Sequence, residues 1–240
     1  MDSPFLRTEL LLGSDAIDRL RRSRVCVFGL GGVGSYAVEA LVRSGIGALD
    51  IVDNDTVDIT NLNRQLIALR STIGRAKTDV CLERILDINP ECIVTAHRMF
   101  YLPENADAID LSQMNFVVDC IDTMSAKLEL VRRCHDLGIP LISCMGTARK
   151  LDPTRLRISD ITRTNTDPVA KVLRRKLRDL GISHLKCVWS DEMPAKQPDK
   201  ESPLPSCTFV PATAGILIAC EVVMYLATND NDSHNNHFNQ

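Results

Sequence analysis

Residues 25–43 read VCVFGLGGVGSYAVEALVR, and this stretch decides the fold of the chain. The β-rich run 25–28 leads into the glycine-rich turn GLGGVG (residues 29–34), and a helix-forming segment follows at 35–43. Glycines let the backbone turn tightly, so that phosphate oxygens can approach the amide N–H groups at the start of a helix. A strand, such a turn and a helix in this order predict a nucleotide-binding unit.

The neighbouring segments alternate short β-rich runs with helical stretches, which is typical of a parallel sheet wrapped by helices. The pattern predicts strands at 49–52, 93–96, 116–121 and 141–143, and helices at 77–88, 126–137, 169–180 and 209–226. The last of these contains Pro211, Thr213 and Glu221, and a membrane span needs about 20 apolar residues in a row, so it is interpreted as a buried helix. We therefore expect an α/β protein with a Rossmann-like, mostly parallel sheet, flanking helices and a C-terminal basic extension.

The charge of the chain is unevenly distributed. The 240 residues carry a formal net charge of −3, which excludes a general polycation, so any nucleic-acid surface must be local. Between residues 149 and 186, eleven Lys and Arg stand against four Asp, a balance of +7. We expect one domain over residues 1–228, with a nucleotide-binding part at about 20–148 and a basic, substrate-binding part at about 149–206. Residues 187–206 are predicted to be irregular, and the polar residues 229–240, with His234 and His237, to form a flexible tail.

The N-terminus and the cysteines bear on the cellular compartment. The first residues, MDSPFLRTELLL, lack the basic start and long apolar stretch of a secretory signal. The nine cysteines form no close pair of the kind found in tetrathiolate zinc sites. The sequence therefore predicts a cytoplasmic protein without a membrane span.

Charged residues at the predicted strand ends indicate the chemistry. Asp53 ends the second strand, where a carboxylate can bind ribose hydroxyls, and Asp122 follows the fourth. Arg64 and Lys77 add two cations, which offset charge developing on phosphate oxygens, and a carboxylate can hold Mg²⁺. This group favours phosphoryl or nucleotidyl transfer. A nicotinamide-dependent oxidoreductase and a non-catalytic nucleotide-binding adaptor remain as alternatives.

The motifs together resemble those of the E1-like activating enzymes of the ThiF, MoeB and HesA type, which include bacterial enzymes that adenylate small sulfur-carrier proteins. GLGGVG, DND (53–55), NLNRQ (61–65), the lysine thirteen residues after Arg64, and CID (120–122) agree in order and spacing over roughly residues 10–150. The resemblance implies ATP and Mg²⁺ as cofactors and a homodimer as the assembly. It implies that the nucleotide is bound by Gly29, Gly31, Gly32, Gly34, Asp53, Asp55, Asn61, Arg64, Gln65 and Lys77. It further implies catalytic roles for Arg64, Lys77, Asp122 (also the metal ligand) and Arg7, an N-terminal arginine that would reach the partner subunit's site.

Within this group the chain looks most like the tRNA threonylcarbamoyladenosine dehydratases. Thr123 follows Asp122 where carrier-protein activators usually have Asn, zinc-binding cysteine pairs are missing, and KLDPT (150–154) with the basic helix and SCTFVPATAG (206–215) resemble the dehydratase pattern. That likeness implies adenylation of the side-chain carboxylate of the modified adenosine in tRNA, followed by ring closure with loss of AMP. The candidate tRNA-binding residues are Arg149, Lys150, Lys171, Arg174, Arg175 and Arg178.

Two further alternatives stay open within this resemblance. The chain could activate a ubiquitin-like sulfur-carrier protein, with a sulfur-transfer protein as partner. A thioester route would use Cys144 or Cys207 as nucleophile, although no neighbouring group suggests an activated thiolate.

Overall fold

The computed structural model describes residues 3–197, 199 and 202–229. His234, His237 and the other residues of the expected tail from 230 to 240 lie outside the described residues. The helices are α1 (Leu6–Leu12), α2 (Ser14–Arg22), α3 (Gly34–Arg43), α4 (Lys77–Ile88), α5 (Met124–Leu137), α6 (Pro168–Asp179) and α7 (Phe209–Thr228). The strands are β1 (Arg24–Phe28), β2 (Ala48–Val52), β3 (Ile93–His97), β4 (Phe116–Asp119), β5 (Leu141–Cys144), β6 (Leu156–Asp160) and β7 (Lys186–Ser190).

These strands form one seven-stranded sheet in the order β3-β2-β1-β4-β5-β7-β6. All neighbours pair in parallel except β6, which runs antiparallel to β7 at the edge. The chain order reverses between β1 and β4, and in open α/β sheets ligands bind beyond the carboxyl ends of the strands at such a switch point. The predicted fold class is confirmed.

The glycine turn between β1 and α3 is tightly packed. Gly29 has a φ of 88°, in the left-handed region, and a Cβ there would lie 2.7 Å from the carbonyl oxygen of Cys120 on the neighbouring strand end. A Cβ on Gly34 would lie only 1.7 Å from the Gly29 carbonyl oxygen. Side chains at either position would push the turn apart, so the sequence must place glycine there.

Helix α7 lies in the core, as the sequence predicted. It packs on α3, where a Cβ on Gly215 would lie 2.3 Å from the Val33 carbonyl oxygen. Arg19 of α2 donates hydrogen bonds to the Ala227 carbonyl oxygen at its C-terminal end. In the described part of the chain, α7 is the one helix long and apolar enough to cross a membrane, and half of its most apolar window is buried inside the protein. Burial of this kind is what a core helix requires.

Two sequence-based expectations about strands were wrong. Strand β4 ends at Asp119 instead of residue 121, because the Asp119 carboxylate turns back to accept the Ile121 N–H at 3.1 Å. The segment 187–206 is not irregular throughout, since β7 occupies Lys186–Ser190 and pairs with β5 and β6. Pairing with strands distant in the sequence overrides the local composition at this edge of the sheet.

Candidate functional site

A cavity of about 780 Å³ opens beyond the carboxyl ends of β1, β2 and β4. The glycine turn forms its floor, and the predicted residues Asp53, Asp55, Asn61, Arg64, Gln65, Lys77 and Asp122 line its walls. The sheet brings these residues together because parallel strands deliver their carboxyl ends to one edge. Of the predicted nucleotide-binding glycines, Gly29, Gly31 and Gly32 line the cavity, while Gly34 shapes the turn from behind.

Asp53 holds the turn and the following loop in place. One carboxylate oxygen accepts the Leu30 N–H at 2.7 Å, and the other accepts the Asp55 N–H at 2.8 Å. These bonds tie the end of β2 to the glycine turn. The carboxylate retains lone pairs for ribose hydroxyls, since each oxygen can accept more than one hydrogen bond.

Lys77 begins α4 with its side chain almost fully buried. Its ammonium lies 2.7 Å from the Asp55 carboxylate, which is itself more than half exposed to the cavity. A buried ammonium needs an anionic partner, and Asp55 supplies one. An incoming phosphate could share or take over that partnership.

The NLNRQ segment forms a tight turn that presents three polar side chains. The Asn61 side chain accepts the Asp58 N–H at 3.2 Å, which completes a capping box. Arg64 donates to the Thr60 carbonyl at 2.9 Å and to the Asn63 side chain at 2.8 Å, which leaves several guanidinium N–H groups for a ligand.

Gln65 is buried beside the glycine turn, and its side-chain oxygen has no hydrogen-bond partner in the described part of the molecule. Its amide nitrogen lies 3.9 Å from the place where a Cβ of Gly31 would be. A buried amide without a partner is costly unless a ligand or water completes its bonding. Its position suits a contact with a bound nucleotide.

Asp122 stands exposed at the cavity wall, in the loop between β4 and α5. Within the described residues its closest hydrogen-bonding contact is the Thr123 hydroxyl, at 3.5 Å. No three His, Cys, Asp or Glu side chains of the described chain gather into a metal-binding group. Mg²⁺ is commonly held by one or two carboxylates together with substrate phosphates, so a lone accessible carboxylate beside a phosphate site fits this metal.

The sequence missed the apolar part of the cavity wall, to which Met99, Phe100, Tyr101 and Ile121 contribute. The Tyr101 ring meets Phe28 edge-on, with ring centroids 4.8 Å apart. The first three follow β3, so the rule that ligands bind at strand ends would have found them. Apolar and aromatic side chains of this kind suit a nucleobase.

Arg7, predicted as catalytic, does not line the cavity of a single chain. It lies exposed on α1, which packs on α2. The structure of one chain therefore does not bring it to the other site residues.

Lys150 and Arg174 were predicted to contact tRNA on the surface; the structure contradicts the prediction for Lys150 and ties Arg174 to neighbouring backbone carbonyl groups. Lys150 is buried, with its ammonium 2.8 Å from the Asp167 carboxylate. Arg174 is half-buried and donates to the carbonyl oxygens of Ile161 and Thr164, both at 3.0 Å. A count of charges cannot show which side chains turn inward.

The remaining predicted basic residues do reach the surface. Lys171, Arg175 and Arg178 are exposed on α6 and Arg149 is half-exposed, and none of the four makes an ion pair with a described residue. Arg163 and Lys176 are also exposed and were missed by the prediction. Other cations of this region are neutralised: Arg155 and Arg157 pair with Asp191, and Lys186 with Glu221.

The two cysteines considered for a thioester route differ in environment. Cys144 is buried at the end of β5, and this burial raises the pKa of its thiol to about 12. It is therefore protonated at neutral pH and a poor nucleophile. Cys207 is partly exposed, but it does not line the cavity.

Comparisons with known proteins identify the family of the chain. A model of the ThiF family matches residues 6–240. The chain is 46% identical over 238 residues to the tRNA threonylcarbamoyladenosine dehydratase of Bacillus subtilis, a match that covers 92% of this chain and 94% of that protein. The crystal structure of the E. coli tRNA N6-threonylcarbamoyladenosine dehydratase in complex with AMP superposes with a TM-score of 0.87 at 36% identity, covering 92% of this chain and 93% of that one. The complex of the E. coli enzyme with ATP gives a TM-score of 0.84 at 35% identity, with the same coverage. The chain therefore belongs to the ThiF family.

Proposed function

We propose that this chain is an ATP-dependent enzyme that dehydrates and cyclises N6-threonylcarbamoyladenosine in tRNA by adenylating its side-chain carboxylate. The observation that carries the proposal is the convergence of Arg64, Lys77 and Asp122 on one cavity beside the glycine turn. Relatives that share the fold and much of the sequence bear this activity in their names, and the E. coli enzyme has been crystallised with ATP and with AMP.

The cavity residues divide the binding of ATP among them. The apolar wall takes the base, Asp53 accepts the ribose hydroxyls, and the amides of the turn face the phosphates. Asn61 and Gln65 add hydrogen bonds to the phosphates from the side of the NLNRQ segment. Residues 28–147 contribute every lining residue of this cavity, which supports a nucleotide-binding part at about 20–148 within a single domain of residues 1–228.

The first chemical step is attack of the substrate carboxylate oxygen on the α-phosphorus of ATP, with pyrophosphate as the leaving group. Negative charge grows on the phosphate oxygens during this step, and the guanidinium of Arg64 and the ammonium of Lys77 stabilise it. A group of the same substrate side chain then attacks the acyl carbon of the adenylate. The ring closes, the C–O bond to the phosphate breaks, and AMP leaves.

Mg²⁺ is the metal that this donor set fits, and Asp122 would hold it together with oxygens of the bound phosphates. When bound, it supplies charge neutralisation at the phosphates. Asp122 serves in this role because its carboxylate is accessible and carries only the weak contact with the Thr123 hydroxyl.

The exposed cations beyond the cavity supply the tRNA surface, within the basic part proposed at about 149–206. Lys171, Arg175 and Arg178 stand on α6, and Arg149 lies two residues after Thr147, a residue of the cavity wall. A polyanion is attracted to such a cluster even though the whole protein is slightly acidic. Lys150 and Arg174 are not part of this surface.

A homodimer would give Arg7 a role, since the partner subunit's cavity is the site it could reach. Helix α1 exposes Leu10 and Leu11, at 79% and 82% of their surface, and α7 exposes Ile216 and Met224. Exposed apolar side chains are candidates for a covered interface where they lie together in one patch. Light scattering at several protein concentrations tests the assembly. A monomer of unchanged activity would contradict the dimer, and a Leu10→Glu variant that stays dimeric would contradict the place of α1 in its interface.

A sulfur-transfer partner protein and a cytoplasmic location stay predictions from the sequence. The described residues contain no feature on which either could be argued further. Co-purification from cell extract, and fractionation of the tagged chain, would test them.

The experiment that tests the function compares AMP release in parallel reactions with ATP. One contains tRNA carrying threonylcarbamoyladenosine, one the same tRNA without the modification, and one a ubiquitin-like carrier protein ending in Gly-Gly. We expect AMP only with the modified tRNA, together with loss of one water from the nucleoside, read by mass spectrometry.

Each alternative function gives a different outcome in these reactions. Release that depends on the carrier protein would favour a sulfur-carrier activator. Tight ATP binding without AMP release under any condition would favour a nucleotide-binding adaptor. Binding of NAD(H) in preference to ATP would favour an oxidoreductase.

A further inference from the structure

A buried ion pair joins the cavity wall to the basic helix. The ammonium of Lys150 lies 2.8 Å from the Asp167 carboxylate, with the two side chains exposed by 1% and 0%. Two apolar residues of the same volume would often be as stable as such a pair. Hydrophobic packing alone therefore gives no reason for charges here, whereas a role in positioning the backbone does.

The same two side chains tie together two segments of backbone. The Lys150 ammonium also donates to the Gly146 carbonyl at 2.7 Å, which closes the loop 146–150 on itself. The second carboxylate oxygen of Asp167 accepts the Val169 and Ala170 N–H groups, at 2.9 and 3.0 Å, and so caps α6. One cluster thus fixes both the loop after β5 and the start of the basic helix.

Arg149 sits in this loop with an unusual backbone. Its φ is 62°, and it is the one non-glycine residue of the described chain with a positive φ. A positive φ is unfavourable for residues with a Cβ, so contacts with neighbouring residues must hold the Arg149 backbone in this conformation. The Arg149 N–H donates to the Pro205 carbonyl at 2.8 Å, and the Arg149 carbonyl accepts the Ala195 N–H at 2.7 Å. The next residue, Lys150, is held in the interior by its ion pair with Asp167.

We propose that Lys150 and Asp167 are positioning residues for tRNA. They hold Arg149 at the edge of the ATP cavity, two residues after Thr147 of the cavity wall. In this position the Arg149 guanidinium binds a phosphate of the same tRNA that the cations of α6 bind. This inference rests on the proposed function for the identity of the ligand. Neither residue contacts the substrate, because both are buried.

The test uses a variant that removes the pair without leaving a lone buried charge. Lys150→Met alone strands the Asp167 carboxylate, which threatens folding. The double variant Lys150→Met/Asp167→Asn places two uncharged side chains at these positions, and Asn caps a helix as well as Asp does. It keeps α6 capped but loses the bond to the Gly146 carbonyl. Thermal unfolding checks that it folds.

The measurement is equilibrium binding of modified tRNA over a series of salt concentrations, with ATP binding measured alongside. The double variant removes no exposed cation, yet we expect about tenfold weaker tRNA binding at low salt and a salt slope smaller by about one. The ATP affinity should change by less than about twofold, since the residues of the phosphate site are untouched. In an Arg149→Ala background the double change should have no further effect on tRNA affinity. In an Arg175→Ala background it should keep its full effect.

An unchanged salt slope in the folded double variant would overturn the inference, and so would a full additional loss in the Arg149→Ala background. Both readouts are binding measurements. A failure of the proposed function would appear instead as absence of AMP release by the unmodified enzyme.

Discussion

The proposed nucleotide-binding part (about 20–148) and the proposed basic part (about 149–206), below called the nucleotide part and the basic part, use their charged residues differently. Around the glycine turn, the charged residues of the sequence motifs meet at one cavity. In the basic part, only six of the eleven cations between residues 149 and 186 lack a partner among the described residues: Arg149, Arg163, Lys171, Arg175, Lys176 and Arg178. The spacing of a motif on parallel strands fixes where side chains meet, whereas a charge total carries no direction.

The largest expected effect lies in the nucleotide part. Arg64→Ala or Asp122→Ala should lower AMP release with modified tRNA by about 10²–10³-fold, because each removes a charge that acts on the phosphates in the transition state. Arg70→Ala is the matched control, since Arg70 is exposed and does not line the cavity. Turnover within about tenfold of the unmodified enzyme in either site variant would be incompatible with the roles assigned here.

The glycine turn offers the next test. Gly34→Ala places a Cβ 1.7 Å from the Gly29 carbonyl oxygen, whereas in Gly31→Ala the nearest atom is the Gln65 amide nitrogen at 3.9 Å. We expect Gly34→Ala to lower the free energy of unfolding by about 3 kcal/mol and to abolish ATP binding, because the backbone cannot yield without opening the turn. Gly31→Ala should change stability by less than about 0.5 kcal/mol. Urea unfolding measures the stability of both variants. Equal losses of unfolding free energy in the two would mean that the turn is not packed as described.

Helix α6 carries both exposed cations without a partner and one half-buried cation, Arg174, that is bonded to backbone carbonyl groups. Lys171→Glu/Arg175→Glu/Arg178→Glu should weaken tRNA binding about ten- to a hundredfold at low salt and flatten its salt dependence, since three phosphate contacts are lost. Arg174→Ala should leave the salt slope unchanged and lower stability by about 1–2 kcal/mol, because it removes hydrogen bonds to buried carbonyl groups. Filter binding and thermal unfolding measure the two effects. A weaker salt dependence of tRNA binding in Arg174→Ala would show that Arg174 does contact tRNA.

The smallest effect concerns the charge cluster of Glu39, Arg43 and Arg84 in the nucleotide part, none of which lines the cavity. Burial by itself would raise the pKa of Glu39, but hydrogen bonds from Arg84 and Arg43 outweigh it, so that the pKa lies below its ordinary value. A carboxyl with a lowered pKa in the folded state stabilises the protein above its unfolded pKa, and this stabilisation is lost as the pH falls through the folded pKa. Glu39→Gln should therefore cost less than about 1 kcal/mol at pH 7.

That difference should shrink as the pH falls below about 4.3, the ordinary pKa of glutamate. Urea unfolding of both proteins at a series of pH values measures it, with AMP release expected to be unchanged. A difference that stays constant with pH would contradict the assignment of the stabilisation to this carboxylate.

The sequence predicted the nucleotide part well, because that part depends on local rules. A strand, glycine turn and helix are contiguous, and Asp53 and Asp122 follow strands whose parallel pairing puts them at one edge. The basic part depends on contacts distant in sequence. Lys150 turns inward because Asp167, seventeen residues later, caps α6 beside it. Strand β6 forms only because β7 supplies an antiparallel partner.

The convergence of Arg64, Lys77 and Asp122 on the phosphates of ATP is the central claim, and a crystal structure with Mg²⁺ and a non-hydrolysable ATP analogue tests it most directly. We expect the phosphates to lie against residues 29–34, with the Arg64 guanidinium and the Lys77 ammonium within about 3.2 Å of phosphate oxygens and the metal on the Asp122 carboxylate. Phosphates bound away from the glycine turn, with these three side chains directed elsewhere, would contradict the account.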